Sequence, residues 1–162
     1  MLVRIAGIVS ESYVDGAGIR YAIFMQGCLH DCFECQNPET HPLNGGRLVD
    51  TDDIIKHFKH SRLLDGITLT GGDPFYQENA AAELAEAAQN KGLSVWCYTG
   101  FDYEDVADSY LLNFVDVLVD GKFILAKRDL TLPYCGSSNQ RVIDVIESRQ
   151  QNKIVLWRSS HE

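Results

Sequence analysis

Residues 67–98 read ITLTGGDPFYQENAAAELAEAAQNKGLSVWCY, which is an apolar run, a turn, a helical pattern and a second apolar run. The runs Ile67 to Thr70 and Ser94 to Tyr98 are rich in β-branched or aromatic residues, so both are predicted strands. Between them we expect a helix that Asn79 caps and Gly92 ends, with an apolar face formed by Ala81, Leu84, Ala85 and Ala88. This order predicts a right-handed crossover between parallel strands.

The same order recurs on both sides of this unit. Before it come a strand at Tyr21 to Gln26 and a helix that Asp50 or Thr51 caps and that ends near His60. After it come a helix at Tyr103 to Leu112 and a strand at Val115 to Val119. Three such repeats predict at least four adjacent parallel strands in an α/β fold. Since a closed eight-unit barrel takes about 250 residues, a chain of 162 residues leaves an open sheet or an incomplete barrel. Of these we expect an incomplete (β/α) barrel with parallel strands, open rather than closed.

The rest of the chain adds short segments to this sheet. Leu2 to Val9 is a predicted strand, and the tail has possible strands at Arg141 to Ile146 and Ile154 to Trp157. A Gly-rich loop precedes Tyr21. We find no linker, internal repeat or low-complexity stretch, so residues 1–162 are expected to form one domain.

Composition excludes several classes of function. The net charge is −9, with 23 acidic against 14 basic residues, which argues against nucleic acid as a partner and favours a protein. No apolar run reaches the roughly 20 residues of a membrane helix, and the first residues lack the pattern of a secretion signal. A cytoplasmic protein is expected, and in that reducing compartment five cysteines point to metal or redox chemistry rather than disulfides.

Three of the five cysteines lie in one segment, residues 27–38, which reads GCLHDCFECQNP and follows the strand that begins at Tyr21. Thiolates are the usual ligands of iron-sulfur clusters. Cys28, Cys32 and Cys35 could hold three corners of a cube and leave the fourth iron open to a substrate. Two alternatives are cysteines buried in the core, where Cys is common, and a zinc site with His30 as fourth ligand.

A second motif, Gly71-Gly72-Asp73-Pro74, ends the strand at Ile67 to Thr70. Glycines let a ligand approach the backbone, whose carbonyls can accept hydrogen bonds from an ammonium group. An ordinary turn is the alternative, because Gly, Asp and Pro dominate turns. The next two strands end in polar residues, where parallel sheets place their sites, namely Thr99, Asp120 and Lys122. Cys97 and Cys135 are expected to be bystanders.

The Cys-x3-Cys-x2-Cys spacing is similar to the signature of the radical S-adenosylmethionine (SAM) superfamily. The stretch Asp15-Gly16-Ala17-Gly18-Ile19-Arg20, followed by Gln26-Gly27-Cys28, resembles the glycyl-radical-enzyme activases. Gly71 to Pro74 resembles the Gly-Gly-Glu-Pro motif of the superfamily, with Asp73 in place of Glu. Residues 136–144, GSSNQRVID, resemble the subgroup that acts on anaerobic ribonucleotide reductase.

The resemblance implies an oxidoreductase with a [4Fe-4S] cluster on Cys28, Cys32 and Cys35 and no catalytic residue beyond the cluster and SAM. SAM would be cleaved reductively, and the deoxyadenosyl radical would make a glycyl radical on the reductase large subunit. An electron donor such as flavodoxin is implied as a second partner. Implied SAM contacts are Glu34, Cys35, Gln36, Gly71, Gly72, Asp73, Pro74, Thr99 and Asp120. Glu34 departs from the family pattern, so only its backbone contacts carry over.

Three other functions remain open from the sequence. The chain could activate another glycyl-radical enzyme, or it could be a radical SAM enzyme that acts on a small molecule. A zinc-binding interaction module without catalysis is the alternative from a different class.

Overall fold

The computed structural model describes residues 1–28, 30, 38–40 and 42–159. Its seven strands form one open sheet in the order β3-β1-β2-β4-β5-β6-β7. The strands are β1 (Leu2–Ser12), β2 (Arg20–Met25), β3 (Arg47–Asp50), β4 (Gly66–Gly71), β5 (Ser94–Tyr98), β6 (Val117–Asp120) and β7 (Arg141–Asp144). The α-helices are α1 (Thr51–His60), α2 (Glu78–Asn90), α3 (Tyr103–Val106) and α4 (Val145–Gln151).

The central strands β2, β4, β5 and β6 pair in parallel. The flanking strands β1, β3 and β7 pair antiparallel. The prediction of at least four adjacent parallel strands in an open α/β sheet is therefore confirmed, and the antiparallel flanks were not predicted. All four predicted central strands lie within two residues of their observed bounds.

Alternate residues of the central strands face two different layers. Ile67, Leu69, Val95, Cys97 and Leu118 belong to the large core that also contains the apolar faces of α1 and α2. The opposite face carries a smaller cluster of Trp96, Val117 and Val119, against which Tyr134 and Trp157 pack. Because the helices cover only one face, the other face is left for the loops that form the functional site.

The first two helices agree with prediction except at one cap. Asp50 caps α1 and accepts a hydrogen bond from the Asp52 N–H. Gln77, not Asn79, precedes α2, and its side-chain amide donates to the carbonyls of Arg4 and Gln26. Gly92 ends α2 with φ +81°, as expected.

Two predicted elements of the C-terminal half are wrong in extent. The helix predicted from Tyr103 to Leu112 is α3 followed by a 3₁₀ turn at Leu111–Phe114. The chain turns between them because Ser109 Oγ and Tyr110 N both donate to the Glu78 carboxylate. The tail at Ile154 to Trp157 forms a single bridge between Leu156 and Ile143 instead of a strand. None of the helices in the described part of the chain could span a membrane.

Candidate active site

A cleft opens at the carboxyl ends of the parallel strands, on the face that the helices leave uncovered. Its cavity volume is about 140 Å³. One wall follows β2, β4 and β5 and includes Cys28, Gly71, Gly72, Tyr98 and Thr99. The opposite wall comes from the segment after β6 and includes Phe123, Tyr134 and Gln140.

The Gly-Gly-Asp-Pro turn is built directly onto the start of the cysteine segment. Gly72 N donates to Met25 O at 2.8 Å, and Asp73 N donates to Gly27 O at 2.8 Å. A Cβ on Gly72 would lie 2.4 Å from Gly27 O and 2.8 Å from Gly27 C. The two motifs that the sequence analysis singled out therefore form one structural unit. Their backbones are in such close contact that no side chain fits between them.

This contact predicts a large effect for Gly72→Ala. The added methyl group meets backbone atoms of Gly27 that cannot rotate aside, so we expect the free energy of unfolding to fall by about 1 to 3 kcal/mol. The measurement is urea denaturation of the apo-protein. Gly7→Ala is the matched control, since a Cβ there meets no atom within 4 Å. Equal unfolding midpoints for the two variants would contradict this account of the turn.

Asp73 lies beneath the cleft and not in its lining. Its side chain is fully buried. It accepts hydrogen bonds from Thr99 Oγ1 at 2.8 Å, from Gly100 N at 3.0 Å and from Phe75 N at 3.1 Å. Nε2 of His30 lies 2.6 Å from its Oδ2. The carboxylate thus joins the ends of β4 and β5 to a residue of the cysteine segment.

The structure brings several of the predicted cofactor residues together. Gly71, Gly72 and Thr99 line the cleft together with the predicted metal ligand Cys28. Pro74 is buried at the start of the next 3₁₀ turn and does not line the cleft. Cys32, Glu34, Cys35 and Gln36 lie outside the described residues. Within residues 1–28, 30, 38–40 and 42–159 there is no group of three or more His, Cys, Asp or Glu side chains placed to hold a metal ion.

Asp120 is held away from the cleft by an ion pair. Its Oδ2 lies 2.6 Å from Arg141 NH2 and accepts from Tyr103 N at 2.8 Å. Arg141 also pairs with the exposed Glu104 at 3.0 Å. These contacts hold the pKa of Arg141 above its ordinary value, with the Asp120 hydrogen bond the largest cause. Asp120 therefore joins β6 to β7 and α3, and it is absent from the lining of the cleft.

The segment 136–140, which resembles the reductase-specific subgroup, uses its polar side chains internally. Gln140 Oε1 accepts from Gly136 N and Ser137 N, and its Nε2 donates to Gly121 O. Asn139 Nδ2 donates to Lys122 O, and Ser137 is fully buried. These hydrogen bonds engage the side chains of Asn139 and Gln140 within the chain, while Ser138 is exposed. The side chains shape the far wall of the cleft.

Sequence reasoning missed the far wall and the role of His30. Phe123, Tyr134 and Gln140 come from an irregular segment with no periodic pattern, so no signal in the sequence placed them at the cleft. His30 was considered only as a zinc ligand. Its side chain is 6% exposed. The signal that could have suggested the pairing is a histidine inside the cysteine segment together with the carboxylate of the Gly71 to Pro74 motif.

The Tyr98 hydroxyl and the remaining thiols are in environments that disfavour ionisation. Burial raises the pKa of Tyr98, with Asp15 the next cause. Burial also raises the pKa values of Cys97 and Cys135. Cys97 is fully buried in the large core. Both thiols therefore remain protonated near neutral pH, which agrees with their prediction as bystanders.

Comparison with known proteins gives the family. Residues 14–143 match the family described as "4Fe-4S single cluster domain". The anaerobic ribonucleoside-triphosphate reductase-activating protein of Salmonella typhi is 37% identical over 139 residues, which cover 80% of this chain and 90% of that protein. The proteins of the same name from Vibrio cholerae and Escherichia coli K12 are 37% and 34% identical, over 78% and 80% of this chain and 88% and 90% of their own lengths.

Among solved structures, the chain is similar to QueE from Escherichia coli, with a TM-score of 0.49, 18% identity and coverage of 62% of this chain and 53% of that one. The sequence relatives are much closer, and their matches extend over most of both proteins. The domain match favours an iron-sulfur site over the zinc alternative. The chain belongs to the 4Fe-4S single cluster domain family and, within it, to the anaerobic ribonucleoside-triphosphate reductase-activating proteins.

Proposed function

We propose that this chain activates an anaerobic ribonucleoside-triphosphate reductase by removing a hydrogen atom from a backbone glycine of that enzyme. The proposed cofactor is a [4Fe-4S] cluster on Cys28, Cys32 and Cys35, with SAM as co-substrate. The observation that carries the proposal is that Cys28 and the Gly71-Gly72 turn line one cleft and are joined through Gly27, in a chain of this family.

Held by Cys28, Cys32 and Cys35, the cluster would supply one electron for the reductive cleavage of SAM to methionine and a deoxyadenosyl radical, and that radical would take the glycine hydrogen to give 5'-deoxyadenosine. The chain's residues supply binding and orientation, because the hard chemistry belongs to the cofactor. The Cys28 thiol lines the cleft and is a suitable ligand. The neighbouring backbone of Gly71 and Gly72 offers carbonyl oxygens for the methionyl ammonium group.

Thr99 and the far wall would orient the rest of the co-substrate. Thr99 lines the cleft, but its hydroxyl donates to Asp73 and accepts from Phe101 N, so a ligand can use only its remaining acceptor lone pair. Phe123 and Tyr134 bring aromatic surface to the opposite wall. By the family resemblance, the backbone of Glu34, Cys35 and Gln36 would complete the SAM site from the cysteine segment. Asp120 would support the SAM site indirectly, because its ion pair with Arg141 joins β6 to β7.

Two features of the chain agree with a protein substrate and a one-electron donor. The cleft opens at the strand ends on the face without α1 and α2, where a loop of another protein can enter. The net charge of −9 leaves nucleic acid disfavoured as a partner. We propose a flavodoxin as the donor and the cytoplasm as the compartment, since reducing conditions keep cysteine ligands available.

The test is electron paramagnetic resonance on the reconstituted protein mixed with the reductase, SAM and a low-potential reductant. A glycyl radical is expected on the reductase, together with methionine and 5'-deoxyadenosine. Omission of SAM is the control that must abolish the signal. If the cluster-loaded protein does not cleave SAM, the proposal fails. If it cleaves SAM but leaves the reductase without a radical, the proposed target is wrong.

A further inference from the structure

The strongest unassigned feature of the site is a buried contact between the cysteine segment and the end of the sheet. His30 stands between Cys28 and Cys32 in the sequence. Its Nε2 lies 2.6 Å from Asp73 Oδ2, an arrangement in which the imidazole N–H donates to the carboxylate. Its side chain is 6% exposed, while that of Asp73 is fully buried. A contact this well shielded holds its geometry better than a surface pair does.

The His30 ring lines the cleft on one side and packs against aromatic and backbone groups on its other sides. It packs edge-on against Phe101 with ring centroids 4.5 Å apart, and its centroid lies 5.7 Å from that of Tyr76. A Cβ on Gly100 would lie 2.5 Å from Cδ2 of the ring. Gly100 has no positive φ, so it is this ring, and not the backbone conformation, that leaves no room for a side chain.

Asp73 has no capacity left for a further ligand. Four donor groups already bind its two oxygens, namely His30 Nε2, Thr99 Oγ1, Gly100 N and Phe75 N. A carboxylate offers about four lone-pair sites, so all of them are used by the protein. With no exposed surface, this side chain cannot also receive the ammonium group of a ligand in the cleft. Acceptors that do line the cleft include the backbone of Gly71 and Gly72 and the side chains of Asp15 and Thr70.

We propose that His30 is a positioning residue, held by Asp73, that fixes the cysteine segment over the ends of β4 and β5, and that Asp73 acts through this contact and not as a ligand of SAM. This inference rests on the proposed function. Before any cofactor binds, the contact holds His30, two residues after the predicted ligand Cys28, against Asp73, which directly follows the Gly71-Gly72 turn. In this respect His30 and Asp73 resemble the outer residues that orient ligands at metal sites.

The test compares His30→Phe, which keeps a ring but loses the N–H donor, with His30→Gln, which keeps a donor of similar reach. Each is reconstituted anaerobically and desalted, and iron and sulfide per chain are measured. SAM affinity is then read from the change in the spectrum of the reduced cluster. His30→Phe is expected to lose bound iron or to bind SAM about 10-fold more weakly, and His30→Gln to recover most of the loss. His60→Gln, at an exposed position of α1, is the control and should match the wild type.

Gly100→Ala provides a second probe that leaves His30 in place. Its methyl group should displace the ring from Asp73 and reproduce the loss, while adding Gly100→Ala to His30→Ala should cost nothing more. Three results would each overturn the inference. The first is a loss in the double variant that equals the sum of the losses in Gly100→Ala and His30→Ala. The others are wild-type iron content and SAM affinity in His30→Phe, and a His30→Gln protein that binds iron and SAM no better than His30→Phe. If the wild type itself binds no SAM, the proposed function fails, and iron retention in the variants still tests the contact.

Discussion

Cys28→Ser and Cys32→Ser are each expected to abolish retention of iron and sulfide after anaerobic reconstitution, whereas Cys135→Ser retains both. An open-cornered cluster has only three protein ligands, so the loss of one leaves too few to hold it, and serine is a poor substitute for a thiolate. Cys28 lines the cleft beside the Gly71-Gly72 turn. Iron and sulfide per chain, measured after desalting, are the readout.

Cys135 is a matched control because it lies close to the site without being a predicted ligand. Its thiol contacts Gln140 O at 3.8 Å, a contact that a serine hydroxyl can replace. Burial, with a contribution from Asp120, raises the pKa of this thiol, which disfavours the thiolate that a metal requires. Equal iron content in Cys32→Ser and Cys135→Ser would exclude the proposed ligand set.

The central sheet was predictable because its signal is local and repeated. Each connection between successive parallel strands contains a helical pattern, and the crossover rule then fixes the arrangement. The short elements lacked such a signal. The strand Arg47–Asp50 is ordered by antiparallel pairing with residues Leu2 to Ile5, some 45 residues away in the sequence. The helix α4 depends on Asp144, which ends β7 and caps the helix through Glu147 N.

The same distinction between local and long-range signals applies to the functional site. The rule that parallel sheets carry their chemistry at the carboxyl ends of strands correctly placed Gly71, Gly72 and Thr99 at one cleft with Cys28. The rule does not say which polar side chains stay available. Asp120 is taken by Arg141, and Asp73 is taken by donors from other segments, including His30. Those partners lie 21 and 43 residues away, and only tertiary structure brings them together.

Arg20→Met is expected to lower the free energy of unfolding by about 3 kcal/mol or more, because it leaves several buried acceptors without a donor. Arg20 is 1% exposed and donates to the carbonyls of Ala17, Ile67 and Ser94 at 2.7 to 3.0 Å. It also donates to Thr68 Oγ1 at 2.8 Å. Each unsatisfied buried acceptor costs about 1 to 3 kcal/mol, which is a large share of the roughly 5 to 15 kcal/mol that stabilises a domain.

Burial of the Arg20 charge destabilises the folded state, and these hydrogen bonds offset that loss of stability. Burial lowers its pKa to about 10, so the guanidinium is still charged at neutral pH. Its hydrogen-bond acceptors are the carbonyl and hydroxyl groups named above, and its planar fork reaches both β4 and β5. A lysine ammonium keeps the charge but is a compact point that cannot span these groups. Arg20→Lys is therefore expected to be destabilised as much as Arg20→Met.

Urea denaturation of the apo-protein measures both variants. Arg62→Gln is the control, since Arg62 is an exposed arginine and its replacement should change stability by no more than about 0.5 kcal/mol. A fully stable Arg20→Lys protein would show that charge alone, and not the fork of donors, matters at this position.

The loss of the Arg20 hydrogen bonds should also affect the functional site. Arg20 ties together β2, β4 and β5, and the opposite ends of these strands lead into Cys28, Gly72 and Thr99. A sheet loosened at one end cannot hold these residues in one cleft at the other, so Arg20→Met is expected to retain less iron than Arg62→Gln after identical reconstitution.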